Sequence, residues 1–107
     1  MSNQDPIAIA SRAAEDKKAQ DVKTLDISSN SSFADYFVLA TGLNKVHTRA
    51  VADSIEDELA EQGIHPYSKQ GYQQGDWILL DYLDFVVHVF VPEAREFYQL
   101  ERLWQKT

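Results

Sequence analysis

Helices interleaved with short strands over the length of one domain predict an α/β chain of the α+β kind, a small mixed sheet with an antiparallel hairpin covered by about three helices. Two observations carry this. Apolar periodicity alternates between helical and extended along the 107 residues. The stretch Gly75–Trp104, GDWILLDYLDFVVHVFVPEAREFYQLERLW, then reads as two adjacent strands apolar on both faces, a turn with an aspartate at each end, and a short aromatic helix. A sheet packed on one side only should carry polar residues on its other face. This one does not, so either helices cover both faces or one face is kept for a partner. Residues 1–107 are expected to form a single domain, with residues 1–5 flexible and no internal repeat or low-complexity tract.

Taken in order, Asp5 and Pro6 have the character of an N-cap and first helical position, and an alanine-rich helix is predicted to run to about Gln20. A short strand follows at about Lys23 to Ile27, then the polar run Ser28 to Ser32 as a loop. Asp35 to Thr41, DYFVLAT, is a second strand, broken by Gly42. Asn44 caps a helix from about Lys45 to Gln62, with Val51, Ile55 and Leu59 as its buried stripe and Gly63 as its C-terminal stop. Ile64 to Gly75 contains Pro66, Gly71 and Gly75 and reads mostly as loop. After the two strands, Pro92 starts the last helix, on which Phe97, Leu100 and Trp104 share one face.

Composition narrows the function. The net charge is −7, from 17 acidic against 10 basic residues, and the basic residues are scattered. Phosphate backbones repel such a surface, which argues against direct nucleic-acid recognition and for a basic protein partner. Without cysteine there is neither a disulfide framework nor a thiolate metal site. No apolar run approaches the roughly 20 residues that span a bilayer, and the N-terminus has no secretory pattern. A cytoplasmic protein without membrane attachment is expected.

The hairpin can be resolved into faces by placing Tyr82 and Leu83 in a two-residue turn. Asp81 then opposes Asp84, Leu79 pairs with Val86 and Trp77 with His88. Side-chain alternation puts Ile78, Leu80, Phe85, Val87, Val89 and Val91 on a uniformly apolar face that reads as core. Trp77, Leu79, Asp81, Asp84, Val86, His88 and Phe90 fall on the other, which mixes aromatics, a histidine and acids. Asp81 opposite Asp84 is a mildly unfavourable like-charge pair that a partner's lysine or arginine would relieve. Two-residue turns favour positive φ, which neither Tyr82 nor Leu83 readily supplies.

DYFVLATG, HTRAVADSIEDEL, GDWILLD and DFVVHVFVPEAREFYQLERLW together resemble the ribosomal silencing factor family, also known as the Iojap-related family, over nearly the whole chain. Asp76-Trp77, Asp81, Val87-His88-Val89-Phe90, Arg95, Phe97-Tyr98, Leu100-Glu101 and Leu103-Trp104 carry the resemblance. The chain departs from the family at Leu83, where glycine commonly lies between the two turn acids. The resemblance implies a fold similar to nucleotidyltransferases, without catalytic activity. It also implies docking on the large ribosomal subunit through universal large-subunit protein fourteen, which blocks joining of the small subunit and lowers translation when nutrients are scarce. The protein-interface residues expected on the mixed face are Trp77, Leu79, Asp81, Asp84, His88 and Phe90, with Tyr98 beside them. A homodimer through the same face is a further reading for the free protein.

An enzyme of the nucleotide-binding or nucleotidyltransferase type is the competing reading. Such chemistry needs a Gly-Ser turn to hold phosphate and paired carboxylates to hold metal. Thr41-Gly42-Leu43-Asn44 offers the glycine turn, but no serine and no following Asp-x-Asp. His47, His65 and His88 match no zinc spacing. No catalytic residue, cofactor or metal is expected.

Overall fold

The computed structural model describes residues 5–28 and 34–94. Its elements run α1 (Pro6–Asp16), β1 (Gln20–Asp26), β2 (Tyr36–Thr41), α2 (Lys45–Ala60), β3 (Ser68–Gln70), β4 (Trp77–Asp81) and β5 (Phe85–Phe90). The five strands form one mixed sheet in the order β1-β2-β5-β4-β3, in which only the β2–β5 pairing is parallel. The expected mixed α/β sheet is therefore present. Residues 92–94 are helical. Phe97, Tyr98, Leu100 and Trp104 lie outside the described residues, as do the first four of residues 1–5.

Local chemistry sets the helix boundaries. The Asp5 carboxylate accepts the Ile7 N–H at 3.1 Å, and Pro6 occupies a first-turn position where no amide donor is needed. α1 stops at Asp16, four residues short of the expected Gln20, because Lys18 turns into the left-handed region at φ 67° and releases Gln20 to pair with Thr41. β1 accordingly starts three residues before the expected Lys23. It carries one extra residue between the Gln20↔Thr41 and Lys23↔Leu39 pairs, a bulge with Asp21 at φ 49°. Asn44 caps α2 by accepting the His47 N–H at 2.9 Å. That helix ends at Ala60 with Glu61 as its cap, so Gly63, at φ 77°, lies two residues beyond the cap.

The stretch from Ile64 to Gly75, expected to be mostly loop, contains the edge strand β3, paired Ser68↔Asp81, Lys69↔Leu80 and Gln70↔Leu79. Ser-Lys-Gln has no apolar alternation, and its extended conformation is imposed by the free edge of β4. Gly71 follows at φ 78°, and a Cβ there would overlap the Trp77 carbonyl. α2 grips this segment from its exposed side: Lys69 Nζ reaches Glu56 at 2.7 Å, the Tyr72 hydroxyl donates to Asp53 at 3.0 Å, and Arg49 donates to the Gln73 carbonyl at 3.0 Å.

Both α1 and α2 pack on one face of the sheet. The core there joins Ile9, Ala10, Ala13 and Ala14 of α1 and Val51, Ala52, Ile55 and Leu59 of α2 to Val38, Ala40, Ile78, Leu80, Phe85, Val87 and Val89. These sheet residues include all of the predicted hairpin core face except Val91, which lies just beyond β5. The opposite face gathers a second cluster of Leu25, Ile27, Ala34, Phe37, Leu39, Val86 and Phe90, flanked by Trp77, Leu79 and Ala94.

The hairpin register differs from the expected one by two residues. Trp77 pairs with Phe90, Leu79 with His88 and Asp81 with Val86. The chain reverses at Leu83 and Asp84 between Tyr82 and Phe85, with the Tyr82 N–H bonded to the Phe85 carbonyl at 2.9 Å. Leu83 takes φ 75° while the Asp84 N–H reaches back to the Tyr82 carbonyl at 2.9 Å, a three-residue turn of strained geometry. Asp81 and Asp84 are thus not cross-strand partners, and the like-charge pair is absent. Instead the Asp81 carboxylate accepts the Leu83 N–H at 2.8 Å and braces the turn. Leu83→Gly should relieve the strain and raise stability by about 0.5–1 kcal/mol after glycine's entropic cost. A rise in the urea midpoint checks this.

Candidate functional site

A shift of two residues leaves every side chain on its original face, because side chains alternate with a period of two. Trp77, Leu79 and Asp81 therefore still share a face with Val86, His88 and Phe90. Within this face the structure separates two layers. Trp77, Leu79 and Asp81 are half-buried and Asp84 is exposed at the turn. Beneath them, Phe90 is fully buried, while His88 and Val86 are each 4% exposed. Tyr98, expected beside them, lies outside the described residues.

The Trp77 indole is the organising group of the outer layer. Its ring is tilted against Phe90 at 5.9 Å and against His88 at 5.8 Å, and His88 and Phe90 stack at 6.2 Å. Phe37 meets the His88 ring edge-on at 4.5 Å. The indole Nε1–H donates to His88 Nδ1 at 2.9 Å. Because indole nitrogen can only donate, Nδ1 is the unprotonated ring nitrogen and the proton of the neutral imidazole is on Nε2. Nε2 is buried and has no hydrogen-bond partner among the described residues. Burial lowers the His88 pKa to about 4, so the ring is neutral at physiological pH. Among the described residues His88 is thus neither bound to backbone nor displayed at the surface: it is a buried acceptor for a half-buried aromatic. Sequence carried a signal for this, since a tryptophan and a histidine on one face of adjacent strands are a donor and an acceptor within reach.

Two further large apolar side chains lie next to Asp81. Tyr67 is 75% exposed and its N–H donates to the Asp81 carbonyl at 2.6 Å; Leu83 is 55% exposed at the turn. Both are expected in loops from the sequence, where exposure of an apolar residue has no periodic signature. On the helical side Tyr82 stacks on Phe85 at 4.9 Å, and burial together with the Glu56 charge pushes its phenol well above the ordinary value.

The glycine turn that motivated the enzyme reading has another use. A Cβ on Gly42 would lie 2.7 Å from Thr48 Cγ2 and 2.9 Å from Thr48 N, so glycine is required for β2 to approach the first turn of α2. Thr48 Oγ1 in turn donates to the Gly75 carbonyl at 2.7 Å. Three amides around this helix start are engaged: Leu43 N–H on His47 Nδ1 at 2.9 Å, His47 N–H on Asn44 Oδ1 and Thr48 N–H on the Asn44 carbonyl. His47 Nε2 contacts the Lys17 carbonyl at 2.7 Å, tying α2 to the end of α1. Among the described residues no three His, Asp or Glu side chains are placed to hold a metal ion.

Comparison with known proteins agrees with this architecture. The family described as "Ribosomal silencing factor during starvation" matches residues 1–107. The ribosomal silencing factor of Halalkalibacterium halodurans is 39% identical over 104 residues, covering 97% of this chain and 89% of that protein. A crystal structure of a Chromobacterium violaceum protein superposes with a TM-score of 0.92 at 34% identity, covering 100% of this chain and 89% of that one. A mouse protein named for mitochondrial assembly of the ribosomal large subunit is 30% identical over 91 residues, which are 82% of this chain but 40% of that protein. Sequence and fold agree over the full chain, and it belongs to the ribosomal silencing factor family.

Proposed function

We propose that this protein docks on the large ribosomal subunit through universal large-subunit protein fourteen and, by occupying that surface, prevents joining of the small subunit and represses translation under nutrient limitation. One observation carries the reading: an indole held half-exposed on a buried aromatic bed, on the same sheet face as Leu79 and Asp81, with Asp84 exposed at the turn beyond the far end of β4. A rigid aromatic that shares its face with acids suits an interface hot spot for a basic partner. The net charge of −7 adds long-range attraction to such a protein and repulsion from surrounding RNA. The name of the mouse relative points to the same subunit. In this reading the role is non-catalytic and cytoplasmic; the glycine turn before α2 is accounted for by the close approach of Thr48, with no serine in it to hold a phosphate.

Sucrose-gradient sedimentation with purified subunits tests the proposal. The protein should travel with the large subunit and, once bound, prevent formation of the joined particle. Failure to co-sediment would sink the docking reading; a free-protein dimer that dissociates on binding would not. Charge reversal at Asp84, alone and with Asp81, should weaken binding about tenfold at low salt, with the deficit shrinking as the Debye length falls from about 10 Å at 0.1 M toward about 3 Å at 1 M. A deficit independent of salt would mean that the acids act through the fold.

A further inference from the structure

We propose that His88 is a positioning residue for docking, resting on the reading above: it makes no contact with the partner but fixes the Trp77 indole in its binding orientation by accepting the indole N–H. The geometry is specific. Nδ1 lies 2.9 Å from Nε1, and the imidazole is itself held from two sides by Phe37 at 4.5 Å and Phe90 at 6.2 Å, so the acceptor cannot swing away. His88 is on β5, whose neighbours β2 and β4 place Leu39 and Leu79 directly across from it. A side chain with two free torsions is thereby held to one pose before any partner arrives. Binding then does not have to offset the cost of ordering a large surface ring.

This role explains a costly feature. Burying a histidine whose Nε2–H has no partner among the described residues is destabilising, and a phenylalanine would fill the same aromatic slot without that cost. What phenylalanine lacks is the acceptor for Trp77. Selecting the neutral Nε2–H tautomer is the requirement for that acceptor to exist.

The test uses the full chain and purified large subunits. Indole N–H signals are assigned with Trp77→Phe, since Trp104 supplies a second indole. In the wild type the Trp77 N–H should exchange slowly with solvent. In His88→Phe it should shift and exchange faster, and the dissociation constant should rise roughly 5–10-fold, the worth of one net hydrogen bond. His88→Gln, which keeps an acceptor, should recover part of both. In a Trp77→Phe background, where there is no N–H to hold, His88→Gln and His88→Phe should bind equally. Equal binding of wild type and a folded His88→Phe, or additive losses in the double variant, would overturn the proposal. If the wild type fails to bind while its indole N–H is protected, the docking reading fails and the pairing stands.

Discussion

Trp77→Ala should raise the dissociation constant for the large subunit by about thirtyfold or more, the loss of some 2 kcal/mol that truncation of a central aromatic hot spot typically costs. Two losses combine. The indole face is removed from the outer layer, and Phe90 and His88 beneath it become exposed, with His88 Nδ1 left to water. Trp77→Phe keeps a ring over Phe90 but has no N–H, and should lie between the two. Co-sedimentation titrations give the constants, and thermal melts separate binding from folding. Wild-type binding by a folded Trp77→Ala protein would mean that the docking residues are elsewhere, with exposed Tyr67 and Leu83 the next to examine.

The second large effect is on stability against pH. His88 has a folded-state pKa of about 4, below its ordinary 6.5. Between these values the unfolded chain takes up a proton that the folded chain refuses. Full stability is therefore present above pH 6.5 and is lost progressively as the pH falls to about 4, by roughly 3 kcal/mol in all. Urea unfolding at pH 7 and pH 4.5 measures the loss. His88→Gln, with nothing to titrate, should show a smaller drop over the same interval, and parallel curves for the two proteins would show that His88 is not held neutral by burial.

What sequence could reveal depended on whether the signal was local. α2 was legible because its cap, Asn44, and its stripe, Val51, Ile55 and Leu59, are both written in the chain. The end of α1 was not, because Lys18 adopts a left-handed conformation that its side chain does not advertise. β3 was missed because Ser68–Gln70 owes its extension to the edge of β4. The hairpin failed and succeeded together. Leu83 occupies a positive φ that marks glycine positions, so the turn was set one residue early; this displaces the pairing by two residues, an even number that kept the two faces intact. The composition of the mixed face was therefore readable, whereas its depth was not. Alternation assigns Trp77, His88 and Phe90 to one side equally; only packing shows the first outside and the other two beneath it.

The parallel pairing of β2 with β5 joins Tyr36 to Phe85 and Thr41 to Phe90, partners far apart along the chain. Among the described residues, β5 is the strand that joins the β1–β2 and β4–β3 halves of the sheet. During synthesis, everything up to β4 emerges from the ribosome before that bridge exists, and the closing step must overcome the entropy of a long loop. The same strand carries His88 and Phe90, the bed on which Trp77 rests. Completion of the fold and ordering of Trp77 on its bed are consequently one event, so under the proposed docking role a partly made chain lacks the ordered indole that docking would use.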